Sequence, residues 1–293
     1  MKKRRFFACF LLVFVISSVF SIVASADTGP KPSVRITLLD LPEGEVYATL
    51  LSKEKRNGPH AAWDGTEEDA LHNGTYGYGT PYAIWEAFVT YEDADGYYFL
   101  QLTEQRVEEN GQCSWGYYPP EEFKLLLYFP ESDTYLVSEP EERYAFHSYF
   151  TVHVGGSDPL VMVRSYDYAM ELVGLVFRIV ITLAVELLLA FLFFMKEKRL
   201  LVPIIGFNVI TQILLNLLLA GTYYKNGSLA FVIRYVGCEL LVTAIEAVLL
   251  FCFAPRLSKR ENVRRRAVIY AVLANAASLL IGYWLSFYIP TIF

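Results

Sequence analysis

Glu186-Leu-Leu-Leu-Ala190, Asn208-Val-Ile-Thr-Gln212-Ile-Leu-Leu-Asn216, Glu239-Leu-Leu-Val-Thr243-Ala-Ile-Glu246 and Asn275-Ala-Ala-Ser278 lie in four apolar segments between Ala169 and Tyr288. The segments run over about 168–195, 200–222, 229–253 and 267–289. At ~1.5 Å per residue each is long enough to cross a ~30 Å hydrocarbon core. A backbone in lipid must satisfy its own hydrogen bonds, so each segment is expected to be a helix. Pro203 is expected in the first turn of its helix, where a missing N–H costs little.

Basic residues set the expected orientation. Lys196, Lys198 and Arg199 fill the first short loop, and Arg256, Lys259, Arg260, Arg264, Arg265 and Arg266 fill the third; the loop between them holds only Lys225. The positive-inside rule puts the first and third loops in the cytoplasm, with the N-terminal domain and the C-terminus outside. Counting from those edges, Glu186, Asn208, Glu246 and Asn275 fall nine or ten residues in, roughly 14 Å deep. Thr182, Gln212, Thr243 and Ser278 lie one turn further out, and Arg178, Asn216, Glu239 and Tyr283 one turn beyond those.

The polar residues also share faces. Arg178, Thr182 and Glu186 are spaced i, i+4, i+8, as are Asn208, Gln212 and Asn216. Glu239, Thr243 and Glu246 run i, i+4, i+7, and Asn275, Ser278, Gly282 and Ser286 run i, i+3, i+7, i+11. The expectation is a four-helix transmembrane bundle over 168–293, polar inside and apolar outside. Arg178 and Glu239 are expected to pair. Glu186 and Glu246 have no cation at their depth, so at least one should carry a proton and donate it to Asn208, Asn275 or its fellow Glu. Arg234 lies off the polar stripe, where snorkelling explains it.

These same residues resemble a group of uncharacterised four-helix membrane proteins of Gram-positive bacteria with an exported N-terminal domain. The resemblance covers the last ~125 residues. Members often carry a proline soon after the Thr-Gln or Thr-Asn pair, where this chain has Ile213 after Thr211-Gln212. The resemblance implies the four-helix architecture and no activity.

Ahead of the helices stands a secretory signal pattern. Lys2 to Arg5 form a basic start, Phe6 to Phe20 an apolar stretch, and Ala24-Ser25-Ala26 a small-x-small cleavage site. A cleaved signal peptide over 1–26 is expected, with an extracellular domain over 27–165. The chain is 54% hydrophobic, high for a soluble protein, and the four spans account for it. The net charge of −6 hides an acidic N-terminal half joined to a basic membrane half. That acidity argues against nucleic acid or an anionic surface as a ligand.

The N-terminal half reads as strands. Val34–Leu38, Val46–Leu51, Ile84–Tyr91, Tyr97–Thr103, Phe123–Phe129 and Tyr144–Val154 are apolar or alternating, with turn residues between them. Asp93-Ala-Asp-Gly96 is expected to be a hairpin turn. It resembles the start of a calcium loop but lacks the later acidic ligand. The expectation is an all-β sandwich, immunoglobulin-like or transthyretin-like, giving an α+β membrane protein overall. Asn57–Tyr82 reads as a long Gly-rich loop. Cys113 is the single cysteine of the expected 27–165 domain, so no internal disulfide is expected there.

No catalytic, cofactor or metal residues are assigned. His60, His72, His147 and His153 form no zinc pattern; His147 and His153 would sit ~20 Å apart on one strand. No phosphate loop or nucleophile elbow occurs. Tyr117-Tyr118-Pro119-Pro120 offers a binding surface, though core packing accounts for such tyrosines equally well. The expected function is therefore non-enzymatic: an envelope protein whose β domain serves recognition, sensing or assembly. The alternative is a small proton- or cation-coupled transporter or channel working through Glu186 and Glu246. Expected partners are the lipid bilayer, a membrane-protein or envelope partner, and a second copy of the chain.

Overall fold

The computed structural model describes residues 30–71, 80–155, 159–193 and 197–286, with the side chains of 282, 283, 285 and 286 left out. The expected signal peptide with Ala24 and Ala26, His72, and the outer-layer side chains of Gly282, Tyr283 and Ser286 lie outside the described residues. The chain divides into two compact units, Pro30–Tyr166 and one holding the long helices from Asp167 onward.

Among the described residues twelve strands build the first unit: β1 (Ser33–Leu39), β2 (Tyr47–Ser52), β3 (Arg56–Asn57), β4 (His60–Ala61), β5 (Tyr98–Phe99), β6 (Gln105–Arg106), β7 (Gln112–Trp115), β8 (Glu122–Phe129), β9 (Thr134–Val137), β10 (Glu141–Glu142), β11 (His147–His153) and β12 (Met162–Arg164). One sheet has the order β12-β11-β1-β7. Within it β1 pairs with β11 in parallel, Ser33 opposite His147 and Leu39 opposite His153. The second sheet centres on β8 and β2, with β9 and β10 on the free side of β8 and β5 and β6 on the free side of β2. Val34, Ile36, Leu38, Trp115, Phe150 and Val152 of the first sheet share a core with Ala48, Leu50, Phe123, Leu125 and Leu127 of the second. The period-2 alternation of β1 supplies that core directly.

The second sheet is covered on its other face too, and here the expected all-β reading is corrected. Ile84–Tyr91 does not form a strand; Tyr82–Val89 forms a helix, α1, beginning after Pro81. Ile84, Trp85 and Phe88 are its buried residues, at i, i+1 and i+4, which is helical spacing. They pack on Tyr47, Leu51, Phe99, Leu126 and Tyr128 from the opposite face of β2 and β8. Burial on both faces explains why every residue of β2 is buried and why β8 reads as one apolar run.

Lys124 is the exception within β8. Its side chain is 4% exposed, and its ammonium lies 3.0 Å from Asp93 and 2.5 Å from Asp95. Asp93 also accepts from the backbone N–H groups of Asp95 and Tyr97. The Asp93–Gly96 turn therefore joins α1 to β5 rather than two strands. Its carboxylates hold a lysine where a calcium loop would hold its ion. Gly96 takes φ +74°, a conformation that disfavours a side chain.

The second unit holds α2 (Tyr168–Leu192), α3 (Lys198–Leu257) and α4 (Val263–Ser286). The Asp167 side chain caps α2 by accepting from the Met170 N–H at 3.0 Å. Gly227, at φ 78° and ψ −174°, interrupts α3. The halves on either side, α3a (198–226) and α3b (228–257), fold back on each other. The Arg234 Nη1 donates to Thr222 Oγ1 at 2.7 Å, whereas residues twelve apart in one straight helix would be ~18 Å apart. Arg234 is thus held by a partner helix rather than snorkelling alone. Pro203 lies beyond the first turn expected for it, since α3 already begins at Lys198. α2 and α3 are long and apolar enough to cross a membrane, with mean hydropathies of 2.5 and 2.1.

Glu104, half-buried in the first unit, has no ion-pair partner among the described residues. Glu104 accepts from Thr80 Oγ1 at 3.3 Å, its other oxygen has no partner, and burial pushes its carboxyl up to about 6. The fold thus favours the protonated form. This contribution is fully present below the ordinary carboxyl value of 4.5 and is lost as pH rises through about 6. Glu104→Gln is expected to raise stability at neutral pH by about 1–2 kcal/mol and to flatten its pH dependence between those values, read by denaturant unfolding.

Candidate functional site

The helices of the second unit bury polar residues and expose apolar ones. Glu186 is 1% exposed, Asn208, Asn216, Glu246 and Asn275 2% each, while Leu172, Leu188, Val202, Leu214 and Val248 are all above 60%. This inversion follows from the sequence spacing, which puts the acids and amides of each segment on one face.

Inside, amides hold carboxyls across helix boundaries. Asn208 Nδ2 on α3a donates to Glu186 Oε2 on α2. Asn275 Nδ2 on α4 donates to Glu246 Oε2 on α3b at 2.5 Å and to its own helix at the Ala271 carbonyl, 2.9 Å. Gln212 on α3a is the hydrogen-bonding neighbour of Glu239 on α3b, and Asn216 Nδ2 donates to Gln212 Oε1 at 3.3 Å. Thr243 and Ser278 bond back to their own helices, at the Glu239 carbonyl (2.7 Å) and the Asn275 carbonyl (3.3 Å). Thr182 is half-buried between Arg178 and Glu186 on α2.

The expected Arg178–Glu239 ion pair is not among the ion pairs of the described residues. Tyr235 and Glu171 are the polar neighbours whose charge bears on Arg178. Tyr235 lies one turn of α3b from Glu239. Gln212 is the side chain that meets Glu239.

Glu239 is a third buried acid of this unit. Glu239 and Glu246 both bear electrostatically on Glu186, so three carboxyls share one neighbourhood. Each retains an oxygen with no partner: Glu186 Oε1, Glu239 Oε2 and Glu246 Oε1 are buried and unbonded, as is Asn275 Oδ1. Tyr270, fully buried, donates its hydroxyl to the Glu186 carbonyl at 3.3 Å. Sequence reasoning passed over Tyr270. The signal for it was the small-residue spacing Ala267, Ala271, Ala274, which brings that face of α4 close to its neighbours.

The first unit has a cleft of about 310 Å³ walled by Trp63, Tyr91, Tyr97, Tyr98 and Phe99, with Glu92 at its edge. Lys53 and Lys55 lie over the rings of Tyr97 and Tyr98. The Tyr117–Pro120 stretch, weighed as a binding surface or as packing, lies elsewhere: Tyr117 and Tyr118 are exposed, Pro119 and Pro120 buried, and the Tyr118 carbonyl accepts from Asn57. His147 pairs with Ser33 and His153 with Asp40, each 2.7 Å away, at opposite ends of β11. Cys113 is buried in the sandwich core, and burial pushes its thiol up to about 12. Among the described residues no three His, Cys, Asp or Glu are placed to hold a metal ion.

No protein-family model matches the chain, no curated protein matches it, and no solved structure matches it.

Truncating one partner of a buried pair strands the other. Asn208→Ala is expected to destabilise the helical unit by about 1–2 kcal/mol. Asn208→Leu combined with Glu186→Leu is expected to recover most of that loss. Both are read by denaturation in detergent.

Proposed function

We propose that the chain is a non-enzymatic membrane protein of the cell envelope. Its β domain, on the outer face, serves recognition, sensing or assembly with a partner, and four helices forming a bundle in the bilayer carry it. The inverted burial of the helical unit supports the bilayer: Leu and Val outward, Glu, Asn and Gln inward is the arrangement lipid requires and water penalises. The two cytoplasmic loops are short and leave no room for a signalling domain between the helices.

The observation that carries the recognition reading is the aromatic cleft bounded by Trp63, Tyr91 and Tyr98. Rigid amphipathic rings beside an acidic edge suit a ligand with flat apolar faces and hydrogen-bond donors, such as a glycan or a peptide. The unbonded oxygens of Glu186, Glu239 and Glu246 favour a second reading, a proton or cation pathway through the bundle.

The full-length protein in nanodiscs is expected to retain a component of cell-envelope extract, and Trp63→Ala with Tyr98→Ala is expected to abolish retention. Retention of nothing by the intact protein would sink the recognition reading. Release of the protein from membranes by alkaline carbonate would sink the bilayer reading.

A further inference from the structure

Hydrogen-bond accounting in the helical unit leaves a specific deficit. Four buried oxygens lack a donor: Glu186 Oε1, Glu239 Oε2, Glu246 Oε1 and Asn275 Oδ1. Asn275 is the telling member, because it is neutral and not one of the acids. Its Nδ2 lies 2.5 Å from Glu246 Oε2, so its Oδ1, on the same planar amide, sits beside that carboxyl. Glu246 Oε1 and Asn275 Oδ1 are thus two buried acceptors without a donor, on side chains already joined by one hydrogen bond. Buried acceptors are rarely left so, since each unmet group costs about 1–3 kcal/mol.

Three kinds of donor could fill the deficit. A side-chain cation does not fill it: the charge of Arg178 reaches Tyr235, one turn from Glu239, but among the described residues none of the three glutamates has an ion pair. A metal ion needs ligands converging on one point, and no such acid group is present among the described residues. A proton needs no ligand cage. On a carboxyl oxygen it supplies the O–H that a neighbouring amide oxygen, carboxyl oxygen or water accepts.

We propose that Glu246 and Asn275, coupled to Glu186 and Glu239, form an exchangeable proton-binding site that ties α2, α3b and α4 together. The inference rests on the second reading above and narrows its ligand to protons, with water as their carrier. The titratable groups around the site are few. Glu186 and Arg178 come from α2, Glu239 from α3b, and Tyr270 from α4. Tyr235 and Cys238 stand beside Glu239, and α3a contributes only the amides Asn208 and Gln212. Uptake of a proton changes the charge of a buried interior shared by these helices, so the helix packing responds to it.

The test uses the full-length protein in liposomes, treated with a hydrophobic carbodiimide from acidic to alkaline pH and mapped by peptide mass spectrometry. Such reagents modify protonated carboxyls in apolar surroundings. Labelling at Glu246 is expected, lost toward alkaline pH and unchanged by sodium, potassium or calcium. Asn275→Leu, which removes the amide from the carboxyl, is expected to move the midpoint of that pH profile, and Glu246→Gln to abolish labelling at that position. Suppression of labelling by one of the cations would overturn the proton site while sustaining a cation pathway. Absence of labelling on all three glutamates at every pH would overturn both. An unmoved midpoint in Asn275→Leu would overturn the part assigned to Asn275.

Discussion

An amide on one helix holding a carboxyl on the next is the interaction on which the helical unit depends. Leu, Ile and Val pack almost equally well at many rotations, so they cannot choose a register for α2, α3a, α3b and α4. A planar amide and a carboxyl can, because the bond fails when either helix turns by one residue. Asn208 fixes α3a against α2, Gln212 fixes α3a against α3b, and Asn275 fixes α4 against α3b. The bonds form a chain through all the helices, with α3b taking an amide from each side. Gly227 makes this possible by reversing the backbone, so that Gln212 and Glu239 meet although 27 residues separate them in sequence.

The β unit solves a different problem. Its central strands β2 and β8 are covered by the other sheet on one face and by α1 on the other, so their residues cannot alternate between core and water. A lysine in such a strand would be costly alone. Lys124 is tolerated because the turn after α1 delivers Asp93 and Asp95 to its ammonium. The helix that closes the face and the carboxylates that neutralise the strand belong to one continuous segment, and either would be out of place without the other.

Much of this was legible in the residues. The helical segments, the reversal near Lys225 and the faces bearing Glu186, Asn208, Gln212, Glu246 and Asn275 follow from period and spacing, which are local properties. Strands β1, β2, β8 and β11 follow from alternation or from continuous apolar runs. The part read wrongly needed information about neighbours. Ile84-Trp85-Glu-Ala-Phe88-Val89 has strand-forming residue types, and only the unoccupied outer face of β2 and β8 makes its helical spacing decisive. Likewise, depth counted from a basic loop does not say which side chains on facing helices meet, such as Gln212 with Glu239. Strand order was out of reach, because pairing joins residues that no local pattern links.

The parallel pairing of β1 with β11 sets a timetable for synthesis. Ser33 finds its partner His147 only 114 residues later, and Val34, Ile36 and Leu38 have no complete core until then. At ribosomal speeds of about 5–20 residues per second, the first strand waits roughly 6–20 s for the strand beside it. Throughout that interval the domain cannot close, because its opening strand sits in the middle of a sheet, between β7 and β11. The core to which β1 contributes is therefore completed only when nearly all of the domain has been made.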